Sequence, residues 1–117
     1  MALVSLATRG NYVVIFDFRV KPGTGGDFIG RFNAFDYSDA NPFRKSSARM
    51  RDGVLCHDAN DPDHFYAIGE WSDIEAHMTL GKLVADMNPE FRHLVADGKF
   101  IATYTQVVSG VPGMDVT

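Results

Sequence analysis

The chain has one cysteine, one tryptophan and no surplus of positive charge. A lone thiol, Cys56, has no partner for an internal disulfide or a Cys-rich zinc site, which suits a reducing compartment and makes the cytoplasm the expected location. Eleven Lys and Arg against fifteen Asp and Glu leave a formal net charge of −4, so there is no bulk field to attract nucleic acid. No long apolar run exists either. The longest, Tyr12 to Phe16, is far short of the roughly 20 residues that a membrane-spanning helix needs. The apolar start, Met1 to Ala7, lacks a preceding basic region and leads directly into a strand, so it does not read as a signal peptide. The glycines at Gly23, Gly25 and Gly26 lack the Lys-Ser/Thr ending of a phosphate-binding loop and read as turn chemistry. What is present is a composition of 45% hydrophobic side chains with nine phenylalanines in 117 residues, that of one globular domain spanning 1–117.

Periodicity divides this domain into six main elements and one further short helix. Residues Tyr12 to Val20 alternate as a strand, with Tyr12, Val14, Phe16, Phe18 and Val20 on one face. Thr24, with Asp27 three residues on, marks a helix start, and Phe28, Phe32 and Phe35 recur at helical spacing up to about Asp36. Tyr37 to Arg51 shows no period and contains Asn41-Pro42, so it is a connection with at most a short helical turn. Val54 to Cys56 and Phe65 to Trp71 are strands around a turn at Asp58 to Asp63. Ser72 and Glu75 have the spacing of a capping box. They open an amphipathic helix whose stripe is Ile74, His77, Gly81 and Val84. Asn88-Pro89 breaks it, a short helix carrying Phe91, Leu94 and Val95 follows, and Phe100 to Val108 alternates as the last strand. A tail at 109–117 holds Gly110, Pro112 and Gly113.

The order β-α-β-β-α-β is an α+β, ferredoxin-like arrangement with an antiparallel sheet and both helices on one side. The first strand is apolar on both faces, yet two helices cover only one. A homodimer packed through the bare sheet face is therefore expected; the alternative is that the connection Tyr37 to Arg51 folds over that face.

Several groups bear on chemistry. His57, Asp58, Asp61, Asp63 and His64 cluster in one segment, but neighbouring side chains of a hairpin point to opposite faces, so a solvated turn is expected rather than a metal site. Cys56, in an apolar strand, reads as an inert small side chain. On the third strand, Phe65, Ala67, Gly69 and Trp71 share a face, and the two small residues leave room beside the indole. His77, on the apolar stripe of the next helix, faces the same space. Together they describe a slot for a planar aromatic molecule. A core histidine bonded to backbone, with Trp71 as simple filling, fits the pattern equally well.

The run Gly53-Val54-Leu55, Asp61-Pro62 with Phe65, and Glu70-Trp71-Ser72-Asp73 with Glu75-Ala76 resembles the antibiotic biosynthesis monooxygenase domain, as does Arg19-Val20-Lys21-Pro22-Gly23 ahead of a Phe-containing helix. The resemblance covers about residues 12–108. It implies a dimeric α/β barrel with a pocket between sheet and helices in each subunit. It also implies, for some members, oxidation of aromatic polyketides or quinols by dioxygen with no cofactor. Trp71 matches the family tryptophan. Ala67 stands where quinone-forming members have an asparagine, and His77 where they have a tyrosine. Arg92 matches a family arginine only approximately. Asp17, Leu80 and His93 lie only near the Asn, Trp and His of the haem-degrading subgroup, which is set aside. The expected function is cofactor-independent oxidation of an aromatic substrate, with His77 as base titrating between about pH 5 and 8. Arg92 would stabilise the anion, and Trp71, Ala67, Gly69, Phe65 and Phe32 would line the pocket. A non-catalytic dimeric domain binding a small hydrophobic ligand is the alternative.

Overall fold

A computed structural model describes residues 4–110; most of the Gly110–Gly113 tail lies outside the described residues. The elements are β1 (Tyr12–Arg19), α1 (Gly25–Asp36), β2 (Val54–Asp58), β3 (Asp61–Trp71), α2 (Ile74–Met87) and β4 (Ile101–Gln106), with 3-10 turns at Pro42–Lys45 and Glu90–Leu94. The four strands form one antiparallel sheet in the order β2-β3-β1-β4, the ferredoxin-like arrangement expected from the order of elements. Among the described residues no helix is long and apolar enough to cross a membrane.

Register assigns the faces. Phe16 pairs with Ala67 and Ala102, Phe18 with Phe65, and Val14 with Gly69 and Tyr104. Because side chains alternate along each strand, these residues share the helix-facing side. Phe18 is the hub of the core there. Its ring lies 5.6 Å from Phe28, 6.0 Å from Phe32, 5.9 Å from Phe91 and 5.5 Å from Phe100. The opposite face carries a row that crosses all four strands, Val54, Ile68, Ile15 and Thr103. Val54 is 56% exposed and Ile101, in the neighbouring row, 55%. The connection at 37–51 does not cover this row. Its Phe43 packs on Phe16, Trp71 and His77 instead, on the helix side. At one edge of the bare face the buried Glu70 accepts bonds from the Thr8 backbone and Asn11 and pairs with Arg51 at 3.1 Å.

Two helix caps differ from expectation. The cap of α2 is Asp73, whose carboxylate accepts from the Glu75 and Ala76 amides at 2.9 and 3.3 Å. Ser72 is engaged elsewhere, its amide donating to Ala48 O at 2.8 Å, so it belongs to the strand end rather than the helix. At α1, Thr24 makes no side-chain cap; its hydroxyl donates to Lys21 O and closes the preceding turn. Asn88 ends α2 in the left-handed conformation, φ 51°, which asparagine tolerates better than most residues.

Candidate functional site

His77 sits on the first turn of α2, one helical turn beyond the Asp73 cap, and is 2% exposed. Four rings enclose its imidazole. Phe43 stacks on it at 4.8 Å and 13°, Trp71 meets it edge-on at 4.9 Å, and Phe16 and Tyr104 lie 5.3 and 5.4 Å away. Tyr104 is brought there by its register with Val14, which turns it to the helix side. Its hydroxyl and His77 Nδ1 are 3.0 Å apart.

Desolvation lowers the His77 pKa to about 4 and raises that of Tyr104, because burial penalises whichever form is charged. Both are therefore neutral at pH 7, and one proton lies between them. With the ring proton on Nε2, the Tyr104 hydroxyl donates to Nδ1 and Nε2–H is a donor. With the ring proton on Nδ1, the ring donates to Tyr104 Oη, which keeps its own proton, and Nε2 is an acceptor. The imidazole thus offers a ligand a donor or an acceptor without carrying charge, and the expected titration between pH 5 and 8 moves to lower pH.

The rings surround a cavity of about 90 Å³. Its walls include Phe16, Phe18, Phe32 and Phe35 on the sheet and α1, Trp71 and His77, and Phe91 and Phe100. Ala67 and Gly69 line it as the sequence suggests. A Cβ on Gly69 would stand in ordinary contact with the Trp71 indole nitrogen, 3.5 Å away. A polar edge is formed by Asp36, Asn41 and Arg49. Burial raises the Asp36 pKa against the opposing Arg49 charge, whose Nη2 lies 3.9 Å from Asp36 and 2.9 Å from Asp52.

Two expected site residues are not brought together with these. Arg92 donates through Nε to Gly98 O at 3.0 Å and through Nη1 to Ala85 O at 2.6 Å, and lies over the Phe100 ring. Its guanidinium ties the end of α2 to the following turn and is absent from the cavity wall. Phe65 is buried against Phe28 at 4.8 Å and belongs to the core. In the β2–β3 hairpin, His64 turns to the bare face, with Nε2 2.6 Å from Asp17, while His57 pairs with Phe65 on the other side. Among the described residues no three His, Cys, Asp or Glu side chains converge. Besides core phenylalanines such as Phe16 and Phe91, the site members that sequence reasoning missed are Phe43, Tyr104, Asn41, Asp36 and Arg49. Only Tyr104 had a readable signal, its alternation with Phe100 and Ala102 along the last strand.

No family model matches the sequence, and no curated protein matches it. Solved structures match in shape. SnoaB, a cofactor-independent oxygenase from Streptomyces nogalater, crystallised as an asparagine-to-alanine mutant, superposes with a TM-score of 0.63 at 18% identity, covering 89% of this chain and 99% of its own. A Bordetella bronchiseptica protein described as a candidate antibiotic biosynthesis monooxygenase gives 0.62 at 21% identity, covering 86% and 100%. A dimeric ferredoxin-like protein from an uncultured marine organism gives 0.64 at 13% identity, covering 90% and 94%. The likeness at these identities is one of fold: this chain has the ferredoxin-like α+β fold found among antibiotic biosynthesis monooxygenase structures.

Proposed function

We propose that this protein is a small, cofactor-independent oxygenase for an electron-rich aromatic substrate. The observation that carries the reading is a neutral, buried imidazole, bonded to a tyrosine and opening on an aromatic-walled cavity. SnoaB's description as a cofactor-independent oxygenase on the same fold supports it. A phenol bound flat against these rings places its hydroxyl at His77 Nε2, and removal of water from the slot strengthens that hydrogen bond. As the ring gives up electrons to dioxygen its hydroxyl becomes more acidic, and the imidazole takes the proton or holds the developing oxyanion. In the overall reaction a ring C–H para to the hydroxyl becomes C=O, the hydroxyl becomes the second C=O, and the other oxygen atom leaves as water. We further propose that two copies pair, in keeping with the dimeric ferredoxin-like structure of similar shape, that they do so through the bare sheet face, and that the protein acts in the cytoplasm.

Oxygen uptake by chelator-treated, flavin-free protein with 1-naphthol and with phenol, each with a free para C–H, tests the activity. The expected result is uptake above the uncatalysed rate for at least one of them and a loss of tenfold or more in His77→Phe. Equal uptake by the two proteins removes His77 from the chemistry, and no uptake above background removes the oxygenase. Ala67 supports a second reading. Its methyl group cannot donate a hydrogen bond where the resemblance to the monooxygenase domain places an asparagine, and on this reading the domain holds its ligand without turnover. Saturable binding with no oxygen uptake is the result that selects it.

A further inference from the structure

We infer that Phe43 sets the number of rings the ligand can have and restricts the cavity to a single-ring phenol. This rests on the cavity being a phenol site. The Phe43 ring lies parallel to the imidazole of His77, 4.8 Å away and tilted by 13°, with its edge toward Trp71 at 5.4 Å. That is the place a flat ligand would take against His77, so part of the slot is filled by the protein itself.

The ring is held there by a built support. Asn41, 1% exposed, accepts from the Phe43 amide through Oδ1 at 3.1 Å and donates through Nδ2 to Asp36 O at 3.1 Å. Pro42 starts the short turn that follows, and the Ser46 amide closes it on Phe43 O. Of the other aromatic walls, all but Phe100 stand on strands or helical turns. The space left is about 90 Å³, against roughly 150 Å³ for a cavity that takes up one benzene. A single ring sits partly in the mouth, while a fused second ring meets Phe43.

A site without this obstruction prefers the larger ring, because more apolar surface leaves water. Calorimetric titration with resorcinol and with 2,7-dihydroxynaphthalene therefore discriminates, with the imidazole NMR resonances of His77 reporting where each binds. The native protein is expected to bind resorcinol at least tenfold more tightly than the naphthalenediol. Phe43→Ala is expected to reverse that order, and Phe43→Leu, which keeps the loop apolar, to shift it the same way by a smaller factor. Native protein that prefers the naphthalenediol, or a folded variant of either kind that leaves the ratio unchanged, overturns the role of Phe43. Failure of both ligands to bind or to move the His77 resonances instead overturns the phenol site itself, and this inference with it.

Discussion

Burial holds the His77 imidazole neutral in the folded chain, with its pKa near 4, whereas in the unfolded chain it titrates near 6.5. Between those values the unfolded state binds the proton more readily, so stability is intact above pH 6.5 and is lost as pH falls toward 4. The contribution amounts to about 3 kcal/mol at most. Denaturant unfolding of native protein and His77→Phe at a series of pH values checks this: the difference between them should change by that order across the window and be flat above it. A constant difference would mean that His77 is not buried neutral. Single residues also show the limits of reading by spacing. His77 and Trp71 were legible because a helical stripe and a strand face converge on them. Arg92 was misread because its distance along the chain says nothing of its two backbone acceptors, Gly98 and Ala85.

Among the elements, strand alternation located the helix-side face correctly, since a period of two leaves no freedom about which residues share a side. Helix starts were less legible. Ser72 and Asp73 both suit an N-cap, and what separates them is the bond from Ser72 to Ala48, a residue of the aperiodic connection. Asp73→Ala should therefore lower stability by about 1 kcal/mol, while Ser72→Ala leaves the amide bond intact and should cost much less; thermal unfolding of both variants measures it. Equal losses would return the cap to Ser72. The connection at 37–51 had no pattern to read. Its conformation depends on Asn41 finding the Asp36 carbonyl and Phe43 finding His77, contacts that no local periodicity encodes.

For the whole molecule, the sheet has one face covered by helices and one bearing the row Val54, Ile68, Ile15 and Thr103. An exposed apolar sheet face is a pairing surface, and its self-complementary packing would make a two-fold dimer. Sedimentation should give twice the chain mass of 12.9 kDa, and Ile68→Lys should give the single chain with its circular dichroism unchanged. A native monomer at micromolar concentration contradicts the dimer without touching the cavity, which lies on the other side of the sheet.

Whether the helix-side cavity holds a phenol against His77 is decided by NMR titration of the protein with hydroquinone under nitrogen, following the side chains of His77, Tyr104, Trp71, His64 and Tyr66. Saturable shifts of His77, Tyr104 and the Trp71 indole are expected, with His64 and Tyr66 on the opposite sheet face unmoved. Shifts confined to His64 and Tyr66, or none at His77 up to millimolar ligand, would contradict the phenol site.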